Sequence, residues 1–232
     1  MKKIGFIVFA IAIVIGVSIA SLFSWGKATG EVFNVSVNFG AEKGSGTMAV
    51  ENREVSDFSK IDVGGVFQVE IIAQSEFGVE VEGDDNLLQF VKTEVHNGTL
   101  EISMDKRIKT HNPLRVRISA PDITRLEASG ASKVNLTNLK NSELAVDTSG
   151  ASKINILGET GNLIVDVSGA SQIDAGNLSA LTANVDASGA SHVNVNVANE
   201  LIADASGACR ITYSGSPKVS KSTSGASSVS QK

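Results

Sequence analysis

The segment Asp147-Thr-Ser-Gly-Ala-Ser-Lys-Ile-Asn-Ile156 decides the fold, because its central motif recurs throughout the second half of the chain. Ser-Gly-Ala-Ser occurs at residues 129–132, 149–152, 168–171, 188–191 and 224–227, and Ser-Gly-Ala-Cys occurs at 206–209. The six motif glycines are separated by 20, 19, 20, 18 and 18 residues. A fixed period near 20 residues is typical of a solenoid, in which each repeat forms one coil.

Around each glycine the residue types alternate as a β-strand requires. The residue four positions after the glycine is always valine or isoleucine, whereas the residues three positions before and after it are mostly polar or charged. Such alternation predicts strands with one buried and one exposed face. We therefore predict an all-β fold, a parallel β-helix (β-solenoid) whose coils stack about 4.8 Å apart and bend at the small Ser-Gly-Ala-Ser motif. Cys209 replaces the inward-facing second serine of its motif, which predicts a buried thiol and not a reactive nucleophile.

The composition excludes several classes of protein. Of the 232 residues, 42% are hydrophobic, and the net charge is −5. Global disorder and the basic footprint of nucleic-acid binding are therefore both disfavoured. The single cysteine excludes an intrachain disulfide and a multi-cysteine metal site. Aromatic residues make up only 5% of the chain, and none lies between Val91 and Thr212, so small and β-branched side chains must fill the predicted coils.

The first residues predict export. Lys2 and Lys3 precede an uncharged apolar run that is long enough to span a bilayer, and Ser18-Ile-Ala20 resembles a cleavage site. This part is either a signal peptide or a retained membrane anchor. The protein is then expected in the periplasm, on the outer-membrane surface or outside the cell, or held at the inner membrane. The predicted divisions are a signal peptide or anchor (1–26), a linker (27–46), an N-terminal β segment (47–126) and the solenoid of six repeats (127–232).

The N-terminal β segment is less regular. Gly65 aligns with Gly150, which predicts one degenerate coil there. Asn97-Gly98 predicts a hairpin turn. Asp84–Val95 has the spacing of a short helix that Asp84 or Asp85 would cap. At the other end of the chain, residues 220–232 are small and polar and are expected to fray.

Two charged columns flank the motif on the predicted outer surface. The acidic column would bring its carboxylates about 4.8 Å apart, where they could supply oxygen ligands to a cation such as Ca²⁺. Alternatively, these carboxylates face solvent or bond to serine hydroxyls and backbone N–H groups. The acidic column comprises Glu127 and the candidate cation ladder Asp147, Asp166, Asp186 and Asp204.

The second column is basic and consists of Lys133, Lys153, Gln172, His192 and Arg210. It would balance the acidic column across the bend, or it would simply be a solvated face. A binding stripe for an acidic polysaccharide is a weaker interpretation, because Gln172 and Ser228 interrupt the charge.

The sequence predicts no catalytic residues and no cofactor. Acid–base cleavage of a glycoside needs two carboxylates in different environments, whereas a ladder of aspartates offers identical ones. A nucleophilic serine needs a nearby base, but the motif recurs six times and only His192 lies within the repeats.

The chain resembles the bacterial exported family named "putative auto-transporter adhesin, head GIN domain" over residues 47 to 230. The matching segments are 55–69, 84–88, 93–100 and 120–126, followed by the Ser-Gly-x-Ser repeats. The resemblance implies a β-helix of the pectin-lyase type, which is right-handed, and a surface function such as adhesion. It implies no catalytic residues.

These observations lead to three functional hypotheses. The first is a non-enzymatic exported or cell-surface protein that binds an envelope polysaccharide or a surface protein. The second is a polysaccharide-active β-helix enzyme of the lyase kind. The third is a structural spacer that associates with itself, because an uncapped β-helix end can template pairing. Nucleic acid is not an expected partner, and the membrane is expected only through the N-terminal anchor.

Overall fold

The predicted strands are present, and they stack as coils. A computed structural model describes residues 40–232, which form seventeen strands and one 3₁₀ turn, Leu88–Phe90. The strands are β1 (Glu42–Lys43), β2 (Met48–Arg53), β3 (Lys60–Gly65), β4 (Gln68–Ala73), β5 (Gly78–Asp84), β6 (Val91–His96), β7 (Thr99–Met104), β8 (Ile108–Lys109), β9 (Arg115–Ala120), β10 (Arg125–Gly130), β11 (Lys133–Thr148), β12 (Lys153–Val167), β13 (Gln172–Ala187), β14 (His192–Ala205), β15 (Arg210–Ser214), β16 (Lys218–Thr223) and β17 (Ser228–Gln231).

The predicted signal peptide or anchor, residues 1–26, and the linker up to residue 39 lie outside the described residues. Between residues 40 and 232, the structure has no helix of the length and apolar character needed to cross a membrane.

Two ladders of strands form the walls of the solenoid. The pre-glycine ladder holds the segments that lead into each corner, in the spatial order β6-β7-β3-β10-β11-β12-β13-β14-β16. The post-glycine ladder holds the segments that leave each corner, in the order β2-β5-β9-β4-β11-β12-β13-β14-β15-β17. The long strands β11 to β14 belong to both ladders, because each runs from one corner to the next. Outside these ladders, β1 and β8 form a separate two-stranded sheet.

Each corner glycine is required both by its own backbone and by the neighbouring coil. In the six motifs the glycine φ lies between 71° and 91°, a left-handed conformation that residues with a Cβ rarely adopt. A Cβ on Gly150 would lie 2.5 Å from the carbonyl oxygen of Gly130 in the preceding coil, and the other five motif glycines meet the same obstacle at 2.4 to 2.5 Å. The carbonyl of Gly130 also accepts a hydrogen bond from the N–H of Ala151, at 2.8 Å. No other residue type therefore permits this stacking.

Behind each of the first four Ser-Gly-Ala-Ser corners, the second serine of the motif faces the interior and is buried, whereas Ser227 of the last motif is half-buried. The Ser191 hydroxyl donates to the carbonyl oxygen of Ser188 at 3.0 Å, which satisfies a polar group that water cannot reach, whereas the equivalent hydroxyl of Ser152 has no hydrogen-bond partner among residues 40–232. Cys209 occupies the same column, is 2% exposed, and has its Sγ 3.2 Å from the carbonyl oxygen of Ser206. The prediction of a buried thiol is therefore confirmed.

The coil before the first motif consists of β3 and β4. Gly65 pairs with Gly130, which confirms that the segment around Gly65 is a degenerate coil. The chain then turns back, so that β7 pairs with β3 and β9 pairs with β4 on the outer side of this coil. The antiparallel strands β5 and β6 cover the edges of β9 and β7, and Asn97-Gly98 makes the predicted hairpin turn with both residues at positive φ.

The predicted helix over Asp84–Val95 is wrong. Only Leu88–Phe90 is helical, as a single 3₁₀ turn without a side-chain cap, and Val91–His96 is strand β6. The apolar residues have helical spacing, but β6 contains the β-branched residues Val91, Thr93 and Val95 and finds backbone partners along β7. Pairing with a distant strand therefore overrides the local pattern.

The expectation that residues 220–232 fray is also wrong. Strands β16 and β17 continue the pre-glycine and post-glycine ladders around a last corner at Gly225. Inward columns that are apolar in earlier coils hold Lys221 and Gln231 here, and the Lys221 Nζ donates to the carbonyl oxygen of Val229 at 3.1 Å. A charged side chain in an inward column of an edge strand opposes pairing with a further strand.

The buried carboxylate of Asp84 accepts hydrogen bonds from the loops next to β1 and β8. Oδ1 of Asp84 accepts from the side-chain amide of Asn112 at 2.7 Å and from the N–H of Gly46 at 3.2 Å. Its Oδ2 accepts from the Thr110 hydroxyl at 2.8 Å and from the N–H of His111 at 3.1 Å. Burial alone would raise the pKa of Asp84, but the hydrogen bonds from residues 110–112 outweigh it and lower the pKa to about 2. The ionised carboxylate therefore stabilises this part of the fold.

Replacing Gly150 with alanine is expected to lower the free energy of unfolding by at least about 2 kcal/mol, through positive-φ strain and the clash with Gly130. Gly46→Ala is the matched control, because Gly46 has a φ of 86° but no atom within 4 Å of an added Cβ. Urea unfolding of both variants separates the two costs. Equal losses for Gly150→Ala and Gly46→Ala would show that close stacking of the coils is not what requires glycine.

Asp84→Asn is expected to reduce stability at neutral pH and to flatten the acid limb of the stability profile. Because the pKa of Asp84 falls from 3.8 to about 2 on folding, its contribution is complete above about pH 4 and disappears as the pH falls through about 2. Urea unfolding of the two proteins between these pH values measures this difference. Asp105→Asn is the control, since Asp105 makes only an exposed ion pair with Lys92. An acid limb that is unchanged in Asp84→Asn would contradict the assignment.

Candidate functional site

Eight carboxylates follow one another on the outer side of the pre-glycine ladder, one from each successive strand. The pairing register places each directly beside the next, so they form a continuous line, here called the acidic row. In spatial order, the acidic row is Glu94, Glu101, Asp62, Glu127, Asp147, Asp166, Asp186 and Asp204.

The acidic row is longer than the repeat alone indicates. The period brings Glu127 and the four aspartates of the candidate cation ladder together, and the structure places these five residues side by side. Sequence reasoning missed Asp62, Glu101 and Glu94, which come from the degenerate coil and the strands beyond it. The alignment of Gly65 with Gly150 contained the signal for Asp62, which lies three residues before its glycine. The pairing of β6 and β7 leaves no comparable signal for Glu101 and Glu94.

An open groove of about 320 Å³ lies between the middle of the acidic row and the corner. One guanidinium partly neutralises it, because Arg125 contacts Glu127 at 2.6 Å and Asp147 at 2.7 Å. The polar side chains along the groove are those of Asp62, Glu127, Asp147, Asp166, Ser129, Ser149 and Ser168.

Two of these carboxylates have raised pKa values. Burial raises the pKa of Asp62, and the charges of Glu127 and Glu101 raise it further. Burial also raises the pKa of Asp147, Arg125 opposes the shift, and Glu127 and Asp166 add to it. A raised pKa means that the ionised form is disfavoured in the fold, so these charges reduce stability at neutral pH, and stability rises as the pH falls through the raised values.

The candidate cation ladder Asp147, Asp166, Asp186 and Asp204 remains a prediction. Asp166, Asp186 and Asp204 are exposed, and Asp147 is half-buried and paired with Arg125. Within residues 40–232, no three or more histidine, cysteine or acidic side chains converge in a way that could hold a metal ion.

The predicted basic column is also a straight line, on the outer side of the post-glycine ladder. Lys133, Lys153, Gln172, His192 and Arg210 are all exposed, and each pairs with the next. We call these five residues the basic row. Two positions further along the same strands lies a half-buried line that we call the polar row, which consists of Asn135, Asn155, Asp174, Asn194 and Thr212.

The geometry offers no activated nucleophile in the described part of the chain. The second serines of the first four motifs are buried, that of the last motif is half-buried, and His192 lies in the exposed basic row. Among residues 40–232, no histidine ring is hydrogen-bonded to a serine hydroxyl; the one histidine side-chain contact joins His96 to Glu94. A serine–histidine pair of the kind that acyl transfer requires is therefore not assembled in this region.

Comparison with known proteins agrees with the fold. The chain covers 99% of a putative adhesin from Bacteroides fragilis, with 82% of this chain covered, 22% identity and a TM-score of 0.69. It covers 98% of a putative adhesin from Parabacteroides merdae, with 82% of this chain covered, 18% identity and a TM-score of 0.52. Both similarities show the solenoid fold alone. No match was found among curated proteins.

The family model described as "Putative auto-transporter adhesin, head GIN domain" matches residues 57–217. This match extends from the strands of the degenerate coil, across the stacked Ser-Gly-Ala corners, to the turn before β16. It includes all eight residues of the acidic row and, over most of their length, the two ladders described above. The chain therefore belongs to the "putative auto-transporter adhesin, head GIN domain" family.

Proposed function

We propose that the chain is a non-enzymatic adhesin, exported and displayed at the cell surface or in the envelope. The observation that carries this proposal is the regularity of its outer faces. Each coil adds one carboxylate to the acidic row and one residue to the basic row, at a spacing of about 4.8 Å. A surface built in this way offers many similar contacts in a fixed geometry, and such contacts add up when the partner is itself repetitive.

The family supports this proposal, because it is described as "putative auto-transporter adhesin". An envelope polysaccharide or a surface protein is the kind of partner that fits. Export through residues 1–26, as a cleaved signal or a retained anchor, would bring the solenoid to that partner.

Association through the last coil has less support. A β-helix end can template pairing when its edge is uncovered, but Lys221 occupies an inward column of β16 and bonds across the coil to Val229. We therefore assign the adhesive function to the sides of the solenoid.

The test is to display the full chain on a bacterium that does not otherwise adhere. Attachment to surfaces coated with purified envelope polysaccharides or envelope proteins is measured, and the same polysaccharides are assayed for new reducing ends and unsaturated sugars. We expect attachment without cleavage. Gly169→Val, which places a side chain against Gly150, is expected to abolish attachment, whereas Gly46→Ala should retain it. Cleavage of a polysaccharide, or no attachment by a chain that is folded on the surface, would refute the proposal.

A further inference from the structure

Among residues 40–232, some cations are paired with carboxylates and others are not. At the N-terminal end of the solenoid and in β10, arginines and one lysine are held by carboxylates. Arg115 contacts Glu82 at 2.9 Å, and Arg117 contacts Glu80, Glu82 and Glu70. The other pairs between a permanent cation and a carboxylate in residues 40–232 are Arg53–Glu51, Lys92–Asp105, Arg125–Glu127 and Arg125–Asp147.

The basic row has no such partners. Lys133, Lys153, His192 and Arg210 form no ion pair with any residue between 40 and 232. Lys133 lies directly beside Lys153, so two like charges are held about 4.8 Å apart, where two unit charges in water repel by roughly 1 kcal/mol. The uncharged Gln172 separates this pair from His192 and Arg210. An anionic ligand that follows this line would relieve the repulsion and would displace no internal ion pair.

Three residues of the polar row, Asp174, Asn194 and Thr212, are linked to one another by hydrogen bonds. The Asn194 side-chain amide donates to Asp174 Oδ1 at 2.9 Å, and the Thr212 hydroxyl donates to Asn194 Oδ1 at 3.3 Å. The N–H of Gly176 also donates to Asp174 Oδ1, at 3.1 Å. Side chains that are fixed in this way lose little freedom on binding. They offer both donors and acceptors, as a ligand rich in hydroxyl groups requires.

The two rows meet in an open groove of about 280 Å³ near the last coils. It is lined by His192, by the cations Arg210 and Lys232, and by three residues of the polar row, Asp174, Asn194 and Thr212. Because strands rise about 3.3 Å per residue, the two rows lie roughly 6.6 Å apart. A matching ligand therefore carries an anionic group along one edge and hydroxyl groups along the other, repeated once per coil.

We propose that the basic row and the polar row together bind an acidic polysaccharide, a linear chain with a carboxylate or sulfate on its sugars. The polymer lies along the solenoid axis, with its anionic groups on Lys133, Lys153, His192 and Arg210 and its hydroxyls on the polar row. The inference rests on the proposed adhesive function and names the ligand class and the face that binds it.

The same surface suits a nucleic acid poorly. Single-stranded nucleic acids are bound by aromatic side chains that stack on the bases, and the sequence has no aromatic residue between Val91 and Thr212. The next one, Tyr213, has its side chain in an inward column of β15, where it packs partly buried against the core. Asp174 also places a carboxylate in the polar row, and this negative charge would repel the closely spaced phosphates of a nucleic acid.

The test is to measure binding of the purified full chain to polygalacturonate, dextran sulfate, uncharged dextran and single-stranded DNA by isothermal titration calorimetry at several salt concentrations. We expect both acidic polysaccharides to bind, with an affinity that falls as salt rises, and uncharged dextran not to bind. The combined substitution Lys133→Gln, Lys153→Gln, His192→Gln and Arg210→Gln is expected to weaken binding about tenfold or more. These side chains are exposed, so thermal melting should show that the variant folds.

Lys60→Gln, Lys140→Gln and Lys218→Gln together form the matched control, because they remove three permanent charges from exposed positions outside both rows. This control should retain most of the affinity if the row, and not net charge, binds the polymer. Equal weakening in the control and row variants, no binding of either acidic polysaccharide, or tighter binding of DNA would overturn the inference. If the displayed chain still attaches to envelope material in those cases, this inference alone fails. If attachment is also absent, the proposed function fails with it.

Discussion

The structure depends on the close approach of one glycine to another at the corner of successive coils. The carbonyl oxygen of a corner glycine accepts a hydrogen bond from the N–H of the alanine that follows the glycine of the next coil, as between Gly130 and Ala151. That contact leaves no space for a Cβ and holds the glycine at positive φ. Because each glycine lies against its counterpart in the neighbouring coil, the corner fixes the register of both ladders.

Because the register is fixed, equivalent residues of successive repeats lie side by side and form straight rows of similar side chains. Residues three positions before the glycine become the acidic row, and residues three and five positions after it become the basic and polar rows. The rows run along adjacent walls of the same solenoid, separated by the small residues of the corner. The protein thus presents two long surfaces of opposite charge, and its modest net charge of −5 conceals both of them.

The solenoid and its rows of residues could largely be predicted from the sequence, because the repeat period and the alternation of apolar and polar residues both indicate stacked coils of β-strands. The columns around Gly150 predict which residues are buried. Cys209, the one residue that replaces the second serine of the motif, is buried like the serines of its column. The degenerate coil was visible through Gly65. Other features depend on contacts between segments that are distant in the sequence. Glu101 joins the acidic row only because β7 pairs with β3, and Val91–His96 becomes a strand only because β7 accepts it.

The hydrogen bonds around Asp84 and the ordered last coil could not be predicted from the sequence, for related reasons. Asp84 gathers donors from residue 46 and from residues 110–112, and no local pattern links these segments. The small polar residues near the end of the chain resemble a frayed terminus, although the same residue types form every other corner.

Native-state hydrogen exchange at the corner alanines tests the central claim most directly. Ala151, Ala170, Ala190 and Ala208 have exposed side chains, so any protection of their N–H groups must come from the bond to the glycine of the preceding coil. If corner stacking fixes the coils, these four amides exchange slowly and at similar rates, close to the rate of global unfolding. Fast exchange at these alanines, while the strands on either side remain protected, would show that the corners do not hold the solenoid together.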